Sequence, residues 1–433
     1  MLHLLILLLG SGTAWAGDAD SDSDPDEASD ADAAAAIVGM NDPPPPATAR
    51  YDLGRGLQID FDQGKHRVAI TGFVQPSVQL VRTGVEEGSD AEPKTDSIWT
   101  ARHAQIALNA DFDDNRYSFE LRTDFSLAAP LLSAGARYRP HETITISAGQ
   151  LQTPTNNREM LLVEGDLALP ERGAVSTVFS DTGRELGLFV DGDFALGSFL
   201  VRPRFAMTSG DGRNSFGADS RDVDLGGLKW GGRLDLLPLG DFSEGNRDSI
   251  VDVVGETKPK LVIGGAFSFN DGASGATGEG HGDFVIYNGE GDPQLPDYFQ
   301  LYADALLKVR GFSLLVEFAQ TSAASLQGTF SDPVGGNPLY SGQISEFLAL
   351  GQGIGVQVGY FAQPGVSFDL RYSLLLPEFA DNDASVVQRE NVLAGGVTIY
   401  VHDPGARIQL AGTWVSRDGP DTVGGEVATV VRF

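Results

Sequence analysis

Residues 424–433 read GGEVATVVRF. In an extended strand Val427, Thr429, Val431 and Phe433 share one face, while Glu426, Ala428, Val430 and Arg432 share the other. The sequence stops in mid-pattern on an aromatic residue. A terminal strand leaves an edge of unpaired N–H and C=O groups unless another strand meets it, and hydrocarbon does not tolerate such an edge. The arrangement that removes it is a closed barrel, in which the last strand pairs with the first.

The same period of two returns upstream. Val68, Ile70, Val74, Val78 and Leu80 alternate with Thr71, Gln75, Ser77 and Gln79, and Ile106, Leu108, Ala110 and Phe112 with Gln105, Asn109 and Asp111. After Asp113-Asp114-Asn115, the residues Tyr117, Phe119, Leu121, Phe125 and Leu127 alternate with Ser118, Glu120, Arg122, Asp124 and Ser126. Comparable runs lie near 131–139, 142–151, 184–194, 198–208, 227–237, 260–270, 298–310, 311–322, 353–362, 366–376, 391–401, 406–417 and 425–433. The total is about sixteen, an even number as in single-chain bacterial barrels. A chain of 433 residues with 54 glycines and a mean hydropathy of −0.10 suits a barrel, where only every second strand residue meets lipid. Tyr138, Trp230, Tyr360 and Trp414 fall near strand ends, as interfacial girdles require. An all-β transmembrane up-and-down antiparallel barrel is therefore expected over residues 65–433. Phe433 resembles the C-terminal aromatic that the barrel-assembly machinery reads.

Connection lengths support the same topology. Short links at 113–116, 139–142, 195–197, 310–311, 362–365 and 402–405 alternate with long ones at 83–97, 152–183, 209–226, 271–297, 323–352, 377–390 and 418–424. Short periplasmic turns and longer external loops produce this alternation. Two links break it: 128–130 is short where a long one is due, and 238–259 is long where a turn is due. The long links carry Glu86, Glu87, Asp211, Asp219, Asp222, Glu279, Asp292, Asp381 and Asp383, which read first as solubilising charge.

The first 64 residues are different material. Leu2–Leu9 is a short apolar core, and Ala14-Trp15-Ala16 before Gly17 fits signal-peptide cleavage, so residues 1–16 are expected to be a secretory signal. Residues 17–64 follow as an acidic, Pro-rich periplasmic segment, expected to be disordered, with nine acids before Arg50 and the run Pro43–Pro46. DADSDSDPD could be read as a calcium loop, but it lacks the glycine turn and closing Glu that such a loop uses.

Composition narrows function by exclusion. A net charge of −30 offers no basic stripe for nucleic acid. Cysteine is absent, and His3, His66, His103, His141, His281 and His402 are scattered, with no zinc spacing and no nucleophile elbow. No enzyme and no cofactor or metal is expected. His103 on a polar face reads as a hydrogen-bonding pore residue. Strand number separates the two remaining classes. Sixteen strands leave a water-filled lumen for diffusion, whereas eight to ten leave a filled, non-conducting barrel with a surface-binding or adhesive role.

The order RHAQIALNADFDDNRYSFELRTDF, ITISAGQLQTP, LPERGAVSTVF, SDTGRELGLFVDG, with GGVTIYVHDPGARIQLAGTWVSRDG and VVRF at the end, resembles the phosphate-selective porin O/P family over roughly residues 65–433. The resemblance implies a trimeric barrel in the outer-membrane lipid of a Gram-negative cell. It also implies that the segment after the fifth strand folds inward as the constriction, and that phosphate or other small polar or anionic solutes are the cargo. The constriction would hold Arg158, Glu159, Glu164, Asp166, Glu171 and Arg172.

Parity along the strands assigns Arg122, Arg137, Arg139, Arg202, Arg204, Lys229, Arg233, Lys308, Arg310, Arg371 and Arg407 to the lumen. Glu120, Asp124, Asp235, Asp304, Glu317 and Asp369 answer them, a mixed wall that departs from an unopposed basic ring and suits orientation of polar solutes. Arg137, Arg139, Arg202 and Arg204 lie on strands without acids and are expected to form a basic patch near the eyelet.

Overall fold

The computed structural model describes residues 47–433 except 86–91, 215–225, 274, 279–283, 325, 327, 335, 363–364 and 403. The expected signal sequence, residues 1–16, and most of the acidic tract lie outside the described residues. Residues 48–61 correct the expectation of disorder over 17–64: β1 (Thr48–Asp52) and β2 (Gly56–Phe61) form a hairpin.

The barrel strands begin with β3 (His66–Thr83), β4 (Lys94–Phe112), β5 (Tyr117–Asp124), β6 (Leu131–His141) and β7 (Ile144–Gln152). Then come β8 (Arg184–Gly192) with its short continuation β9 (Phe194–Leu196), β10 (Phe199–Thr208), β11 (Lys229–Leu237) and β12 (Lys260–Asn270). Two short strands, β13 (Ile286–Tyr287) and β14 (Pro293–Gln294), pair within a connecting loop. The wall resumes with β15 (Asp297–Val309), β16 (Phe312–Ala324), β17 (Gly351–Ala362), β18 (Val366–Pro377), β19 (Glu390–His402), β20 (Ala406–Arg417) and β21 (Thr422–Arg432). Each barrel strand is antiparallel to its neighbours, and β21 pairs back onto β3 from Thr422↔Thr83 to Arg432↔Phe73. With β8 and β9 counted as one interrupted strand, this is a closed sixteen-stranded barrel.

The seam is finished by the chain terminus. Gly72 and Phe433 exchange two backbone bonds of 2.8 and 2.9 Å, and β2 continues the pairing below them, from Leu57↔Ile70 to Phe61↔His66. The ring of Phe433 lies over Gly72, where an added Cβ would sit 2.7 Å from the ring and 2.5 Å from the Gln105 carbonyl oxygen. Gly72→Val is therefore expected to destabilise the barrel by about 1–3 kcal/mol through overpacking at the seam. Urea titration of the folded, heat-modifiable band would measure it, and a wild-type midpoint would contradict the seam's tightness.

The wall is inverted relative to a soluble sheet. On β18, Phe368, Leu370 and Tyr372 are exposed, while Ser367, Asp369, Arg371 and Ser373 are buried. β15 repeats the scheme, with Phe299 and Leu301 outside and Gln300, Asp304 and Lys308 inside. Apolar residues outside and polar ones inside are what lipid and a hydrated lumen demand. Tyr138, Trp230, Tyr360 and Trp414 all face outward near strand ends. The tight link after β4 is possible because Asp113, Asp114 and Asn115 accept left-handed φ values of 54°, 55° and 64°.

The lumen is less open than sixteen strands alone suggest. Val175 and Phe179, on the short helix α1 (Ala174–Phe179), pack on Ala266, Tyr302, Ala319 and Leu375 of the inner wall. At Gly353 a Cβ would come 2.6 Å from Phe179, so the bare backbone is what lets α1 lie against the wall. Loop residues Phe284, Ile286, Ile344, Leu348 and Leu350 form a second cluster with Tyr298 at the rim that carries the long loops.

Candidate functional site

Residues 153–183, between β7 and β8, run into the barrel with little regular structure, so their backbone carbonyls need partners from elsewhere. The inner wall supplies them. Arg371 donates to the carbonyls of Glu171 and Arg172, both at 3.0 Å, and Arg407 donates to those of Gly165 and Leu167. Gln409 reaches Leu167 and Ala168 at 3.1 and 3.2 Å, and Thr398 reaches Ala168 at 3.0 Å. Met160, Leu167 and Leu169 are buried in the same interface.

Charges fix the segment as well. Glu159, 2% exposed, accepts from Arg371 at 2.9 Å, Ser176 Oγ at 2.6 Å and the Gly173 amide at 2.7 Å. Arg158 binds Asp235 and Asp304 at 2.6 and 2.7 Å, and Arg233 binds the same two acids at 2.9 and 2.6 Å. Asp166 meets Arg432 at 2.5 Å.

Among the described residues, the barrel interior holds cavities of about 640 and 490 Å³. The larger faces β5–β10 toward the rim of short turns, and the smaller opens toward the long loops. Arg184, 3% exposed, lines both, so the boundary between them, the neck, lies at this side chain. There Glu164 reaches Arg172 at 3.0 Å, Arg184 at 3.4 Å and Gln105 at 2.9 Å, and Arg122 touches Gln105 at 3.5 Å. Burial acts to raise the Glu164 carboxyl, but the guanidinium groups of Arg184 and Arg172 outweigh it and hold it well below the ordinary value. The Glu164 carboxylate thus links Arg172 and Arg184, and Arg122 nearby is answered by Glu120 at 3.6 Å.

The larger cavity takes Arg122, Arg137, Arg139, Arg158, Arg202 and Arg204 from the expected bases, and the smaller takes Arg371, Arg172, Glu164 and Glu171. Of the remainder, Lys229, Arg233, Lys308 and Arg407 point inward as parity expects but line neither cavity, which corrects their reading as pore-lining, and Arg310 departs from the inward side. Arg233 and Arg407 are buried anchors of the inward segment, and Lys229 is buried against Glu185 at 2.7 Å. Lys308 is fully buried beneath residues 238–259, and Arg310 sits exposed on a turn at φ 50°, outside the lumen.

The expected basic patch lines one cavity, yet three of its four members meet acids from neighbouring elements. Arg137 pairs with Glu120 at 2.6 Å, Arg202 with Asp193 at 3.2 Å and Asp241 at 2.7 Å, and Arg204 with Asp191 at 3.9 Å. His103 bonds Asp124 at 2.7 Å.

Arg184 and Arg102 escaped the parity reading. Leu188 and Val190 on β8 face outward, so alternation places Arg184 outside too, but as the strand's first residue it is free of the pleat and turns inward. Arg102 is the extra residue of a bulge, where Gln75 pairs with His103 and Pro76 with Ala101. The bulge re-aims it into the lumen, onto Glu426 and Glu171.

At the turn rim, Asp241 sits below the ordinary carboxylate value because its bond to Arg202, with the charges of Arg202 and Arg247, outweighs burial. Glu256 is lowered in the same sense, burial being outweighed by bonds from Asn246 and Ser243. Both folded values lie below the unfolded ones, so the stability they add is complete at neutral pH and is lost as pH falls through the folded values, below about 4. Protection of the amides across 238–259, after correction for intrinsic rates, should fall as pH drops from about 5 to about 3. Protection at about pH 3 equal to that at about pH 5 would contradict this.

No family model and no curated protein matches the chain. Among solved structures, the outer membrane channel DcaP of Acinetobacter baumannii matches with a TM-score of 0.52 at 13% identity, over 86% of this chain and 98% of that one. An anion-selective porin from Comamonas acidovorans matches at 0.48 and 10% identity, over 85% of this chain and 100% of that one. OmpF of Salmonella typhi, in a complex with daunomycin, matches at 0.49 and 11%, over 85% and 98%. In fold, the chain is similar to the outer membrane channel DcaP.

Proposed function

We propose that this chain is an outer-membrane porin for passive diffusion of small polar or anionic solutes, with residues 1–16 removed on export. One observation carries the reading: a closed barrel, apolar outside, holds two charged cavities that share Arg184 as a lining residue. Acids and bases interleave along both cavities, which favours orientation of dipolar solutes over capture of one anion. Phosphate is accordingly one cargo among several. The rim of short turns then faces the periplasm. A homotrimer, implied by the family resemblance, belongs to the same proposal, as does recognition of Phe433 by the assembly machinery.

Planar-bilayer recording of the purified protein in chloride and in phosphate tests this. Discrete current steps in both salts are expected. Their absence would favour the second reading, a non-conducting surface-binding barrel, for which Glu164 bridging the neck is the supporting contact.

A further inference from the structure

We propose that residues 238–259 form a second constriction at the turn rim, setting the width and charge of the exit separately from residues 153–183. The idea rests on the diffusion-channel reading. Other described links on this rim are tight turns such as 113–116 and 310–311, whereas this one is long and folds inward as a packed unit. Phe242 and Ile250 bury themselves against Leu237, Val262, Leu306 and Leu315, all on the inner wall, and Leu162 of the first constriction touches the same cluster.

Polar contacts make the fold specific. Lys308 points inward from β15, and its ammonium donates to the carbonyls of Asn246 at 2.8 Å, Ser249 at 2.5 Å and Val251 at 3.2 Å. That uses all three of its protons, so a buried charge stays satisfied only while the segment remains seated. Asp252 accepts from Asn246 at 2.7 Å, from the Glu256 amide at 3.0 Å and from the Gly311 amide at 2.7 Å, which ties the segment to the next turn. The unit covers the rim beneath β11–β16. Its free edge carries Asp241, Arg247 and Asp248, which border the larger cavity, and Asp241 bridges to Arg202 on β10 at 2.7 Å, so the charges at this edge and on β10 flank the path out of that cavity.

The absence of cysteine from the chain makes a clean test possible. Asp248 is exposed and lines the cavity, so Asp248→Cys should react with a sulfonatoethyl methanethiosulfonate reagent and lose about half of its single-channel current. Replacing residues 240–257 by an Asn-Gly turn should raise conductance about twofold or more, and Lys308→Met should raise it less. A conducting wild type whose Asp248→Cys variant labels without any change in current overturns the second constriction alone. A wild type and a folded loop-replacement variant that are both silent overturn the channel reading itself. If the loop replacement fails to fold, the thiol experiment still decides.

Discussion

Replacing Glu164 by glutamine should turn the neck strongly toward anions. The variant keeps the shape and the contact with Gln105 but removes the carboxylate that meets Arg172 and Arg184, while Arg122 beside Gln105 keeps Glu120 at 3.6 Å. A unit charge about 4 Å from a permeating ion is worth about 4 kcal/mol at an effective dielectric constant of about 20. Even a third of that, felt at the narrowest point, changes the permeability ratio about tenfold. Arg184→Gln should move the ratio the other way. Reversal potentials in a salt gradient measure both, and identical values for wild type and variants would mean the solute path does not pass Arg184.

The second large effect is expected at Arg371. Methionine there would fill the space yet strand the Glu159 carboxylate with only Ser176 and the Gly173 amide, and would free the carbonyls of Glu171 and Arg172. Breaking a buried ion pair on one side costs about 3–5 kcal/mol. The penalty falls on the seat of residues 153–183, because the barrel's backbone ladder does not involve the Arg371 side chain. The barrel should still form and shift with heat on a gel, while conductance rises, open-channel noise increases and amides in 153–183 lose exchange protection. Protection and conductance equal to wild type would show that the segment is held without this pair.

These two positions were not equally legible. Arg371 lies mid-strand between outward Leu370 and Tyr372, so alternation assigned its side, although its role as a clamp depends on Glu159, some two hundred residues away. Arg184 sits at a strand start and Arg102 in a bulge, and alternation fails at both because the pleat that enforces it is interrupted. The basic patch was misjudged for a related reason. Its acids arrive from β5, from β8 and the Asp193 break after it, and from residues 238–259, which no inspection of β6 and β10 by themselves reveals.

The hairpin at 48–61 was hidden by the acidic and Pro-rich composition before it. It exists because β3 extends below Gly72, past the end of β21, and offers an unpaired edge. Residues 238–259 stood out only as an exception in length. Their inward course needs the apolar inner faces of β11, β12, β15 and β16 together with Lys308.

What the chain order determined unaided was the period, the number of strands, their direction and the closure on Phe433. Each of these follows from backbone hydrogen bonding and from which side of a strand meets lipid, both local properties. The tertiary structure alone decided which inward charges border solvent and which serve as bolts. That depends on what lies across the lumen, and the distance between two facing strands is not encoded in the spacing along either of them.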